Sequence, residues 1–200
     1  MRRIKEKKER SLGTKLFLKA DRCSSPKCVT VRRMGRPGQH GTRRTQVTEY
    51  GKQLQEKQKI QIFFGLNNKQ VRVIFKREDD PERIKAALRE RLDFVVYLFG
   101  FAKSPRIARQ MVSHGHIIVN GRKVTVGSFR VKKGDMIEIR QESRTSKLFE
   151  GIKDQLQHSA PPAWLKLDSN SLKGQCVASA VTDTSEFPFN VALVGQFYSR

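Results

Sequence analysis

Apolar residues recur along the chain with two periods, and the switch between them organises its middle. After Asp80-Pro81, Ile84, Leu88, Leu92, Val95 and Phe99 stand three or four positions apart up to Gly100, which predicts one amphipathic helix. Asp80 supplies a cap and Pro81 a first helical position. Ser104-Pro105 repeats the start signal, and Gly115 stops the helix it opens. On that second helix Ile107, Ala108, Met111 and Val112 share one face, and Arg106, Arg109, Gln110 and Ser113 the other. The period then drops to two. HIIV at 116–119, the dipeptide Asn120-Gly121 and KVTV at 123–126 spell a hairpin with a type I′ turn. MIEIR at 136–140 alternates after a KKGD turn and predicts a further strand of a small sheet.

The flanks are less periodic. A helix capped by Thr48 is expected to run to about Phe64, with Gly65 as its stop. NNKQVRVIFKRE at 67–78 fits a short helix or a strand equally well. The polar stretch after Arg140 reads as helical to about Gln157, and Ser159-Ala160-Pro161-Pro162 breaks the chain. Residues 1–47 show neither period and are rich in Arg, Lys and Gly, so they are expected to order against a partner rather than alone. Helices followed by short strands make the fold class α+β.

Charge changes the picture. The net charge is +22 over 200 residues, which points to a polyanion. Residues 1–44 carry 15 Lys/Arg against 3 Asp/Glu, residues 45–160 carry 23 against 13, and residues 161–200 carry 3 against 3. The front of the chain is therefore expected to meet the polyanion, and the tail to pack on protein. FVVYLFGFA at 94–102 is the longest apolar run, far short of the roughly 20 residues that span a bilayer. The N-terminus reads as no secretory signal, and three cysteines argue for a reducing compartment. No membrane partner and no small-molecule substrate are expected.

The stretch RLDFVVYLFGFAKSPRIARQMVSHGHIIVNGRKV closely resembles the RNA-binding domain named after small-subunit ribosomal protein number four. PGQHG at 37–41, YGKQLQEKQK at 50–59, WLKLD at 164–168 and FYSR at 197–200 resemble the bacterial-type ribosomal protein family itself, in order and spacing. The resemblance implies three parts: a basic extended segment 1–47, a mainly helical domain 48–90 completed by about 160–200, and an inserted RNA-binding domain 91–158 of two helices and a short β-sheet. It implies binding to the 5′ domain of small-subunit rRNA early in assembly, a place at the mRNA entrance and contact with neighbouring small-subunit protein number five, linked to decoding accuracy. The setting is a cytoplasmic ribosome, bacterial or organelle-encoded.

The RNA-binding positions expected in the N-terminal part are Arg32, Arg33, Arg36, Gly38, Gln39, His40, Gly41, Arg43, Arg44, Lys52 and Lys57. Those in the helix-hairpin domain are Arg91, Ser104, Arg106, Arg109, Gln110, His114, His116, Asn120, Gly121, Arg122 and Lys123, with Tyr198 and Arg200 in the tail. Arginines a turn apart can straddle successive phosphates. The chain departs from the family pattern at Gln61, Ile62, Phe94, Leu98 and Gln196.

Cys23 and Cys28 form a C-x4-C pair, half of a four-ligand zinc site. Some members of the family carry a second cysteine pair upstream, whose spacing counted back from Cys23 lands here on Glu6 and Glu9, and His40 is a conceivable third ligand. No metal or other cofactor is expected, with Cys23 and Cys28 the zinc candidates and Cys176 an ordinary buried thiol. The chain has no glycine-rich nucleotide loop, no HExxH and no G-x-S-x-G, and it is read as a non-enzyme. Two alternatives stay open on these residues: an RNA-modifying or tRNA-handling enzyme built on the same domain, and a zinc-dependent nucleic-acid regulator.

Overall fold

A computed structural model describes the chain except residues 1–5, 24, 34, 42–45, 158, 184 and 200. The chain divides into two compact units, one of residues 1–81 with 186–200 and one of residues 82–185.

In the first unit, three short helices, α1 (Lys7–Leu12), α2 (Ala20–Cys23) and α3 (Val29–Arg32), occupy the basic segment that lacks periodicity. They bury Leu12, Leu16, Leu18, Cys23 and Cys28. The main helix α4 (Glu49–Phe64) starts where the Thr48 hydroxyl accepts the Gly51 N–H and ends at Gly65 in the left-handed region, as its cap and stop signals predict. Residues 68–77, ambiguous in sequence, form α5 (Asn68–Arg77), begun by a capping box between Asn67 and Gln70. In the tail, α10 (Val191–Tyr198) packs against α4 and α5. Phe63 and Phe64 meet Phe187 and Phe189 edge-on, and the last two rings stack 4.9 Å apart.

The predicted continuous helix of residues 81–99 is two helices, α6 (Pro81–Arg89) and α7 (Leu92–Leu98). Arg91 is extended and bridges to Arg130, while the N–H groups of Leu92 and Asp93 donate to the carbonyls of Phe129 and Gly127. The apolar period runs through the break because its members are buried on both sides, Ile84 and Leu88 in α6 and Leu92 and Val95 in α7. Next comes α8 (Pro105–Ser113), whose first turn is capped by Ser104 Oγ accepting the Ile107 N–H. Strands β1 (Ile117–Val119), β2 (Arg122–Lys123) and β3 (Met136–Ile139) follow, so the second hairpin strand is shorter than its KVTV pattern suggests. Asn120 (φ +49°) and Gly121 (φ +77°) provide the two left-handed residues of the turn. The stretch after Arg140 is two short 3-10 turns and then α9 (Ile152–Gln157), not one long helix.

The sheet holds two more strands, β4 (Leu165–Asp168) and β5 (Lys173–Cys176), in the antiparallel order β2-β1-β3-β5-β4. The stretch 160–185 therefore groups with the hairpin rather than with the helical domain to which the sequence assigns it, and residues 82–90 do likewise. The physical reason is edge pairing: β5 covers the open edge of β3 in the register Met136 to Gln175, Ile137 to Gly174 and Glu138 to Lys173. Beneath the sheet, α7 and α8 bury Leu92, Val95, Val96, Phe99, Ala108, Met111 and Val112 against Ile117, Ile137 and Ile139. The fold class is α+β. Among the described residues no helix is long and apolar enough to cross a membrane.

Candidate nucleic-acid interface

Ser104, expected among the RNA-binding positions, is buried as the cap of α8. Ala108, Met111 and Val112 fix one face of that helix in the core, whereas Ile107, expected on the apolar face, is exposed. The opposite face carries Arg106 and Arg109, half-buried, with Gln110 at the surface. Burial, and then the neighbouring Arg109 charge, hold the Arg106 guanidinium below its ordinary value. The Arg106 Nε is buried without a hydrogen-bond partner in the protein. Two mutually repelling guanidinium groups on one face form a site that an anion would complete.

The helix leads into the hairpin through Gly115, whose φ of +76° suits a residue without Cβ. A Cβ there would stand 2.1 Å from Lys123 Cε, so the lysine stem packs directly across the helix stop. Arg122 and Lys123 are exposed on β2, and His114 is exposed beside them. His116 is held by Nδ1 to Ser143 Oγ at 3.0 Å and packs edge-on to Phe149. Desolvation foremost, then the charges of His114, Arg140 and Lys123, push its pKa below the ordinary histidine value.

Asn120 serves the scaffold: its Nδ2 donates to Asp135 Oδ1 at 2.8 Å, and its Oδ1 accepts the Met136 N–H at 2.8 Å. Gly121 is exposed at the tip. Arg91 turns inward, 6 % exposed, and grips buried Asp93 through Nε to Oδ1 at 3.0 Å and Nη2 to Oδ2 at 2.5 Å. Burial raises the Asp93 carboxyl above the usual carboxylate range, against the pull of Arg91 and Arg109. Arg91 thus anchors the floor of the head instead of lining its surface. Asp135 and Ser143 carry no signal in the sequence because their partners Asn120 and His116 lie 15 and 27 positions away, whereas Asp93 sits two positions from Arg91 and only its burial is hidden from the sequence.

In the other unit, Arg32 and Arg33 are exposed where α3 ends. Arg36, Gly38, Gln39 and His40 lie on an exposed turn closed by the Gly41 N–H donating to the Gly38 carbonyl at 3.1 Å. A Cβ at Gly41 would overlap the Arg36 carbonyl at 1.8 Å, so the turn requires glycine. Lys52 is exposed and paired with Glu49 at 2.7 Å. Lys57 is buried, its ammonium 4.4 Å from the Phe197 ring centroid and 5.5 Å from that of Tyr198, and desolvation lowers its pKa. Tyr198 packs on Phe75, and its hydroxyl reaches Asn68 Oδ1 at 3.3 Å. Lys57 and Tyr198, expected to bind RNA, here join α4 to the tail. Arg43, Arg44 and Arg200 lie outside the described residues.

Against known families, residues 1–94 match the Ribosomal protein S4/S9 N-terminal domain and residues 90–137 match the S4 domain. Among curated proteins, the small ribosomal subunit protein uS4 of Syntrophomonas wolfei subsp. wolfei is 43 % identical over 194 residues, which cover 94 % of this chain and 93 % of that protein. The chain belongs to the uS4 family. The uS4 protein of Solidesulfovibrio magneticus is 40 % identical over 193 residues, covering 94 % of this chain and 93 % of that one. That of Desulfatibacillum aliphaticivorans is 43 % identical over 191 residues, covering 93 % and 92 %.

In this uS4-family chain the two residues that stand in for the upstream cysteines are engaged elsewhere. Glu9, 1 % exposed, accepts the N–H groups of Leu16 and Leu18 at 3.0 and 3.2 Å. Glu6 pairs with Arg22 at 3.5 Å and Lys19 at 3.8 Å. Cys23 and Cys28 are buried free thiols. Cys28 Sγ lies 2.9 Å from Thr30 Oγ1, a contact that leads the causes lowering its pKa, whereas burial raises that of Cys23. Cys176 is likewise buried, its sulfur donating to the Ala178 carbonyl. Among the described residues no three metal-binding side chains come together.

Proposed function

We propose that this chain is a structural rRNA-binding protein of the small ribosomal subunit and has no catalytic activity. The observation that carries the reading is the α8 face, where Arg106 and Arg109, both half-buried, stand one turn apart and their like charges repel. A phosphate bound between them would offset the repulsion between the two charges. Gln110, His114, Arg122 and Lys123 extend the same head, and the exposed turn at 36–41 with Arg32 and Arg33 supplies a second cationic surface. The uS4 relatives carry the name of a small ribosomal subunit protein, which gives the RNA its identity.

The finer assignments rest on the family resemblance. The RNA partner is the 5′ domain of small-subunit rRNA, bound at a helical junction early in assembly. The chain also lines the mRNA entrance and touches small-subunit protein number five, through which it contributes to decoding accuracy in a cytoplasmic ribosome. The test is a titration of the full chain against a 5′-domain transcript with excess tRNA as competitor. Retained binding is expected, and displacement by tRNA contradicts the assignment.

A further inference from the structure

Residues 15–18 alternate in an unusual way. Leu16 and Leu18 are fully buried, but Phe17 between them is 42 % exposed and has φ +51°, a backbone region that bulky side chains rarely adopt. The buried Glu9 carboxylate holds this turn by accepting both the Leu16 and Leu18 N–H groups. The ring is therefore presented outward by a preorganised backbone, and nothing in the core requires it there. Outliers of this kind cluster at ligand-binding sites.

Beside the ring lies a basic cleft of about 320 Å³ lined by Arg10, Thr14, Lys15, Thr30 and Arg33. Lys15 joins the two features: it lines the cleft, and its Nζ lies 4.8 Å from the Phe17 ring centroid. The cleft is itself built. Arg10 Nε donates to the Arg33 carbonyl at 3.1 Å, and Gly13 (φ +64°) and Gly35 (φ +108°) turn the chain at its rim. An exposed aromatic ring joined through a lysine to a cleft of two arginines and two threonines is the chemistry of an unpaired nucleotide site: the base stacks on the ring and the phosphodiester enters the cleft.

We infer that Phe17 and the Arg10–Lys15–Arg33 cleft form a binding site for one unpaired RNA nucleotide, separate from the α8 head. The inference rests on the RNA-binding reading for the class of ligand only. Single-strand stacking tolerates any base, so a short fluorescein-labelled oligouridylate serves as the probe, with the full-length chain and anisotropy as the readout. Phe17→Leu is expected to weaken binding about tenfold and Phe17→Tyr to keep it. Lys15→Gln is expected to reduce the salt slope by about 1.

Equal affinity of wild type and Phe17→Leu overturns the site. So does equal affinity for an abasic ribose-phosphate oligomer, or displacement of the probe by inorganic phosphate at equal concentration, either of which reduces the cleft to an anion trap. Should Phe17→Leu fail to fold, wild-type protein photocrosslinked to a 4-thiouridine oligomer decides: an adduct on Phe17 supports the site, and adducts only elsewhere overturn it. Failure of the wild-type chain to prefer the 5′-domain transcript over tRNA would sink the ribosomal reading and leave the Phe17 result intact, so the two fail separately.

Discussion

Two arginines fifteen residues apart read alike in the sequence and have opposite fates in the fold. Arg106 keeps an orphaned donor on the α8 face, whereas Arg91 is locked against Asp93 inside the head. Removing Arg91 would leave a buried carboxylate without its cation, so Arg91→Met is expected to destabilise the chain by about 3–5 kcal/mol. The loss should be greatest near neutral pH and ease on acidification. A carboxyl with a raised folded pKa contributes its full stability below the unfolded value and loses it as pH rises through the folded one. Thermal melts of the variant across pH measure this. His116 has the opposite sign. Its pKa is depressed, so the folded state binds fewer protons than the unfolded state, and stability falls as pH drops below about 6.5 towards the folded value. Wild type is expected to lose more melting temperature than His116→Gln on passing from about pH 7 to about pH 5.

At the scale of elements, legibility follows whether the deciding interaction is local. The α8 start, the Gly115 stop and the Asn-Gly turn are each fixed by residues within four positions, and all stand where the sequence predicts them. The division between α6 and α7 depends on carbonyls of Phe129 and Gly127 more than thirty residues away, which no local pattern carries. The same holds for β4 and β5, two four-residue strands drawn to the sheet by the open edge of β3. Gly174 shows how close that docking is. A Cβ at this position would lie 2.4 Å from the Phe99 ring, so β5 lies flat on the core only as long as residue 174 has no side chain. Gly174→Ala is expected to cost about 1–3 kcal/mol by overpacking, read from the urea midpoint, with RNA affinity of the folded fraction unchanged.

Over the whole molecule, net charge sets the function class, and burial decides which charges can serve it. The surplus of Lys/Arg in residues 1–160 belongs to both units, yet Arg89, Arg91 and Lys57 are internal, each matched to a carboxylate, a carbonyl or an aromatic ring. The neutral tail, expected to pack on protein, divides between the units, its strands completing the sheet in one and α10 covering α4 in the other. The proposed RNA contacts fall on the cations that are not internal. The most direct measurement compares wild type with Arg106→Glu/Arg109→Glu in binding a 5′-domain rRNA transcript across a salt series, with circular dichroism on both proteins. If the α8 face grips phosphate, the double variant folds normally, binds far more weakly and shows a salt slope smaller by about 2. A folded double variant with wild-type affinity and wild-type slope would contradict the account.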